Sequence, residues 1–245
     1  MNIGLLVCDD VSSRFRHIGG GYQDMFEALL KPHVPGLEFT RYDVRQGEIP
    51  ASTDAHDVYL CTGSRHSVYD KLDWIEALKA FVRDVRDDGK AFVGICFGHQ
   101  VLAEALGGHV AKADQGWGIG VLDMDIVKPE PWMQPPQAHC KLQYMHGDQV
   151  LKLPPESTVL AVAPHCPVAM FKVRDTMLGI EGHPEFPAAY ERALLETRRD
   201  RIGAESVDKA LASLSTPTDH DVTARWIANF IQRKSGSESH YVQEI

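Results

Sequence analysis

The sequence predicts an α/β fold with a mostly parallel central sheet flanked by helices and extended by antiparallel strands in its second half. Three observations predict it. Apolar, β-branched runs alternate with helical patterns up to residue 106; one run passes from strand to helix through "GICFGHQ" (94–100); and after residue 120 the texture changes to short β-like runs separated by turns.

The elements follow in order. "IGLLV" (3–7), "LEFTRYDV" (37–44) and "DVYLCT" (57–62) have the apolar and β-branched content of strands. "YQDMFEALL" (22–30) and "WIEALKAFVRDV" (74–85) place apolar residues at helical spacing, the second ending near the turn "DDGK". "AFVGI" (91–95) is a fourth strand that runs into Cys96, and "HQVLAEAL" (99–106) is a helix stopped at Gly107 and Gly108. Such alternation makes parallel pairs, because each helix returns the chain to the starting end of the sheet. "VLDMDIV" (121–127), "KLQYM" (141–145), "STVLAVA" (157–163) and "VAMFKV" (168–173) read as antiparallel additions, and "TMLGIEGHPEF" (176–186) closes that region. Two helical patterns follow, the last being "DVTARWIANFIQRK" (221–234). No linker, repeat or low-complexity segment divides the chain, so residues 1–235 are expected as one domain with 236–245 a flexible tail.

Composition removes several classes of function. The 245 residues are 44% hydrophobic, enough for a large core, and carry a net charge of -9 with no lysine-arginine tract. That balance argues against nucleic acid or an anionic membrane surface as partner, since both select an extended basic face. "MNIGLLVCDD" reaches acidic residues too early for a secretory leader, and no apolar run nears the roughly 20 residues of a membrane span, so a cytoplasmic location is expected. The five cysteines include no CxxC pair and read as reduced thiols.

Cys96 stands apart from the other four. A strand led into a helix through G-x-nucleophile-x-G is a nucleophile elbow, in which a sharp turn lifts the reactive side chain clear of the sheet. Gly94 and Gly98 fit where a Cβ would collide, and the helix starting near Phe97 points its amides at the sulfur, so a low-pKa thiol is expected. Taken alone, the motif fits a buried core cysteine equally well. A thiol nucleophile also needs a base, and "GHPEF" supplies His183 and Glu185 separated by one rigid proline. Alone, that segment reads as well as a turn with Glu185 near the start of the helix "PAAYERALLE".

Together, "GICFGHQ" followed by "ALGG", with "GHPEF" placing His183 87 positions after Cys96, resemble the class I, or triad, glutamine amidotransferases. The likeness runs from the first strand to the last helix and is greatest to stand-alone proteins similar to the amidotransferase part of guanosine-monophosphate synthase, a branch that includes plant γ-glutamyl peptidases. The resemblance implies Cys96 as nucleophile, His183 as proton shuttle and Glu185 as its orienting carboxylate. It implies an oxyanion hole from the Phe97 amide and Gly63 of "CTGSR", with Ser64 beside it, where many relatives have Gly-Gly-Pro. It further implies that Gln100 and the segment "YMHGDQV", with Tyr144, Met145 and His146, line the substrate pocket. Glu181 stands where relatives often have glutamine, a change that bears on substrate preference or on the histidine's charge.

Other signals are weaker. "GWGIG" (116–120) precedes a β-like run and reads as a turn rather than a dinucleotide loop, and "GGGY" (19–22) lacks the lysine and serine of a phosphate loop. "HPE" has no P-C-x-x-C partner, and "AHC" and "PHC" have no ligands at metal spacing, so neither metal nor cofactor is expected. Trp226, Ile227, Phe230 and Ile231 form the packing stripe of a helix. The leading expectation is hydrolysis of L-glutamine through a glutamyl thioester, with ammonia passed to a separate synthase, because no Ser-Gly-Gly pyrophosphatase loop occurs in the chain. The alternatives are a γ-glutamyl peptidase acting on glutathione-like compounds and a catalytically silent regulatory module.

Overall fold

The computed structural model describes residues 1–233, so the tail expected at 236–245 lies outside the described residues. The first half contains β1 (Asn2–Val7), α1 (Arg16–Gly19), α2 (Tyr22–Leu30), β2 (Glu38–Asp43), β3 (Val58–Cys61), α3 (Asp73–Asp87), β4 (Ala91–Ile95), α4 (Phe97–Ala105) and β5 (His109–Lys112). The second half contains β6 (Gly118–Ile126), β7 (His139–His146), β8 (Asp148–Lys152), β9 (Ser157–Val162), β10 (Met170–Val173) and β11 (Met177–Ile180). Four helices close it: α5 (Ala188–Thr197), α6 (Arg199–Ile202), α7 (Ala204–Ser213) and α8 (His220–Gln232).

Among the described residues, nine strands form one sheet in the order β2-β1-β3-β4-β11-β10-β9-β6-β7. The pairs from β2 to β11 are parallel, and those from β11 to β7 are antiparallel. The predicted class is therefore the observed one. Its central strands are apolar on both faces because helices cover both. Ile3, Leu5, Val7, Leu60, Val93 and Ile95 share a core with Phe26 of α2 and Trp226, Ile227 and Phe230 of α8. The alternate residues Leu6, Tyr59, Cys61 and Phe92 pack with Ile75, Leu78 and Val82 of α3 and Val101 and Leu102 of α4.

β11 matters most for the site. It lies parallel to β4 with Ile180 opposite Ile95, so the residues after both strands emerge at the same end of the sheet. That end, the carboxyl edge of the parallel strands, is where open α/β sheets place their sites. β11 also pairs with β10, which turns the sheet antiparallel.

Some elements were not foreseen. β5 and β8 make a separate two-stranded sheet, with β8 following β7 after the single residue Gly147. The region after "GHPEF" holds four helical segments rather than two, and "GWGIG" begins a strand at Gly118 after a turn at Gly116. "GGGY" is a helix start, but its anion is internal: the Asp24 carboxylate accepts from the Gly21 amide at 2.7 Å.

A Cβ on Gly98 would overlap the carbonyl oxygen of Cys61, and one on Gly94 would overlap the Gly98 carbonyl. These are backbone atoms of packed elements and cannot turn away. Gly98→Ala is expected to destabilise the fold by about 2 kcal/mol or more and to lower the melting temperature by several degrees. An unchanged melting curve would contradict this packing.

Candidate active site

The site begins with backbone strain. Cys96, between β4 and α4, has φ 51° and ψ -103°, an unusual conformation for a residue with a side chain; such conformations cost about 1–3 kcal/mol and persist only when neighbours enforce them. Here the Cys96 amide donates to the Ile180 carbonyl at 2.8 Å, and the Gln100 amide donates to the Cys96 carbonyl at 2.9 Å. Cys96 is 6% exposed and lines a cavity of about 280 Å³.

His183 follows β11. Its amide donates to the Gln143 carbonyl of β7 at 2.7 Å, and its Nδ1 lies 2.8 Å from Glu185 Oε1. Its ring stacks on Phe186 with centroids 3.9 Å apart and planes within 10°, and Phe186 is braced edge-on by Tyr190. Pro184 keeps imidazole and carboxylate adjacent, while strand and stack fix the ring direction. Gly63, just after β3, binds the group together: a Cβ there would be 3.0 Å from His183 Cε1 and 3.8 Å from Cys96 Cβ. The loop after Gly63 is latched to the end of β1, where the Cys8 amide donates to Thr62 Oγ1, Ser64 Oγ donates to the Cys8 carbonyl, and the Asp9 carboxylate holds Arg65 at 2.7–2.9 Å.

Behind the sulfur lies a buried polar layer. Glu181 is fully buried; its Oε1 accepts from Gln100 Nε2 at 2.9 Å and lies 3.8 Å from His146 Nδ1, and its Oε2 is 3.3 Å from His99 Nε2. The His99 approach has ion-pair distance without hydrogen-bond alignment. Burial pushes Glu181 well above the usual carboxylate range, against the hydrogen bonds from Gln100 and Cys96 that favour its ionised form. The same burial pushes His99 down to about 3 and His146 down to about 4. Burial thus opposes the charged form of all three groups.

The expected low-pKa thiol is corrected by this surrounding. Burial pushes the Cys96 thiol well above its ordinary value, and the acidic groups of Glu181 and Glu185 push the same way; the Phe97 amide and Arg198 pull it down but do not win. The helix end does face the sulfur, as expected, yet its partial charge is outweighed by lost hydration.

The remaining expected residues divide. Ser64, Gln100, Met145 and His146 line the cavity, though the Ser64 hydroxyl hydrogen is directed to Cys8 and Gln100 also donates to the Asp148 carbonyl at 3.1 Å. Tyr144 is fully buried in the core, against Gly182, and is not among the residues that line the cavity. Asp148 was not foreseen. It is the one carboxylate lining this cavity, held by Ser67 Oγ at 2.5 Å and Tyr69 Oη at 2.8 Å; its place in "HGD" was the available signal. Among the described residues no group of three or more His, Cys, Asp or Glu is arranged to hold a metal, and no helix is long and apolar enough to cross a membrane.

Comparison with known proteins gives a family. Residues 38–197 match the model described as "Glutamine amidotransferase class-I". The chain is 34% identical over 190 residues to γ-glutamyl peptidase 4 of Arabidopsis thaliana, covering 75% of this chain and 73% of that protein. A GMP synthase (glutamine-hydrolyzing) of Aeropyrum pernix is 32% identical over 117 residues, 47% of this chain and 23% of that one. Among solved structures, a glutamine amidotransferase from Thermotoga maritima superposes with a TM-score of 0.76 at 18% identity, covering 94% of this chain and 99% of that one.

The raised thiol has a direct readout. In the unliganded protein, alkylation of Cys96 by iodoacetamide is expected to keep accelerating above pH about 8.5, the pKa of an ordinary thiol. A plateau already reached below pH 7 would mean a preformed thiolate and contradict the dominance of burial.

Proposed function

Because the chain belongs to the class-I glutamine amidotransferase family, we propose that it hydrolyses the γ-amide bond of γ-glutamyl compounds, with γ-glutamyl peptides its preferred substrates. One observation carries the preference: the cavity that Cys96 lines is also lined by the loop after β3, the β7–β8 turn, Arg198 and Arg201, and we take this extension as the space for a leaving group larger than ammonia. Most of a γ-glutamyl peptidase chain is matched as well, whereas the GMP synthase is matched over less than a quarter of its length.

Cys96 Sγ attacks the γ-carbonyl carbon while its proton passes to Nε2 of His183. Glu185 holds Nδ1–H, which leaves Nε2 free as acceptor and stabilises the imidazolium. A raised thiol pKa is compatible with this order, since the proton leaves only when a carbonyl stands ready to receive the sulfur. The oxyanion faces the Phe97 amide and the Gly63 turn; one such donor is worth about 3 kcal/mol in other enzymes. Collapse breaks the C–N bond, and His183 returns the proton to the departing amine. Water, activated by the same imidazole, then cleaves the thioester to glutamate and free thiol. Asp148 receives the substrate's α-ammonium group, and Gln100, Met145 and His146 shape the glutamyl half of the pocket.

A second reading, hydrolysis of free glutamine with ammonia passed to a separate synthase, is favoured by the GMP synthase match. The chemistry at Cys96 is identical, so substrate preference separates the two.

Glutamate release is expected from γ-glutamyl dipeptides with a higher kcat/KM than from L-glutamine, and Cys96→Ala is expected to abolish both. Glu185→Gln should lower kcat by about a hundredfold to ten-thousandfold with a smaller change in KM. A preference for glutamine would support the ammonia-supplying reading, and turnover surviving Cys96→Ala would overturn both.

A further inference from the structure

The outer part of the cavity has a charge at odds with the rest of the molecule. The protein carries a net charge of -9, yet four cationic side chains, Arg65, Lys112, Arg198 and Arg201, line this one cavity against the single carboxylate of Asp148. Arg65 is already neutralised by Asp9, and Asp148 is oriented by Ser67 and Tyr69. Among the described residues, Lys112, Arg198 and Arg201 have no carboxylate within the 4.0 Å of an ion pair.

One of the three is held by an aromatic ring. Arg201 lies over the Trp117 ring at 5.0 Å, and Trp117 packs on Gly147, where a Cβ would be 3.5 Å from the indole. The rim is therefore a stack from α6 through the turn before β6 to the β7–β8 link, with the exposed Arg201 guanidinium resting on the indole. Lys112 closes β5 on the same rim. Arg198 is half-buried and its charge favours the Cys96 thiolate, whereas Lys112 and Arg201 are exposed.

A γ-glutamyl group brings one carboxylate and one ammonium. Asp148 matches the ammonium and one cation matches the carboxylate, which leaves two cations without a partner on the glutamyl half. We propose that Lys112 and Arg201 form a subsite for a carboxylate on the leaving-group side, so that the substrates are γ-glutamyl peptides whose released amine is an amino acid or peptide with a free C-terminal carboxylate. This rests on the hydrolase reading above and narrows its substrate class. Arg201 lies just beyond residue 197, where the family match stops, so the subsite joins Lys112 from inside that match to a residue outside it.

The test compares γ-glutamylglycine with γ-glutamylglycinamide, which differ only in the terminal charge, using the full chain and the double variant Lys112→Gln/Arg201→Gln. For the parent, kcat/KM should favour the carboxylate substrate by about tenfold or more, the usual worth of a charge-assisted contact. In the double variant that ratio should fall to within about threefold of one, with circular dichroism confirming the fold. Equal cleavage of both substrates by the parent would overturn the subsite and leave the hydrolase reading standing. A parent preference that survives in the variant would also overturn it, as would equal losses on both substrates, which would put these cations on the glutamyl carboxylate instead. Cleavage of neither substrate by the parent would defeat the hydrolase reading itself.

Discussion

The site depends on a cysteine forced into a backbone conformation it would not adopt alone. The β4–α4 turn can form only because α4 approaches the sheet closely, and that approach exists only because positions 94 and 98 lack side chains. The hydrogen bond from the Cys96 amide to Ile180 then couples the elbow to β11, the strand that carries His183. Cys96 and His183, the proposed nucleophile and base, are thus registered to each other through the pairing of neighbouring parallel strands. Residues 87 positions apart in the chain become neighbours by strand pairing rather than by loop flexibility.

Burial sets the electrostatics around that frame. A thiol at a helix N-terminus in water would tend towards thiolate, but here the sulfur sits over Glu181, His99 and His146, all driven towards their neutral forms. Burial favours the protonated thiol at rest, and in the proposed reaction the proton leaves for His183 as the sulfur attacks. Further out the balance reverses, and unpaired cations line the mouth of the cavity. An uncharged floor with a cationic rim steers anionic substrates inward on an acidic protein.

Much of this was legible in the sequence for physical reasons. Alternating strands and helices declare a parallel sheet because both faces must be covered, and Gly94-Ile95-Cys96-Phe97-Gly98 declares an elbow because nothing larger than glycine fits there. His183 and Glu185 were legible because proline fixes their spacing. The state of the Cys96 thiol was not, since it depends on Glu181 and Glu185, which the chain brings back only after 85 further residues (181 minus 96). Tyr144 was read as lining the pocket because its segment does, but its ring packs into the core against Gly182, a residue far from it in sequence. Lys112, Trp117 and Arg201 look like ordinary surface residues in sequence; only the fold gathers them on one rim, around a carboxylate, Asp148, that two hydroxyls orient.

Rapid acid quenching during turnover of a γ-glutamyl peptide, followed by peptide mapping, tests the central claim most directly. A γ-glutamyl thioester on Cys96, with Cys8, Cys61, Cys140 and Cys166 unmodified, is the result expected from a nucleophile held at this elbow. Hydrolysis proceeding with Cys96 unmodified throughout, or with the glutamyl group on another residue, would contradict it.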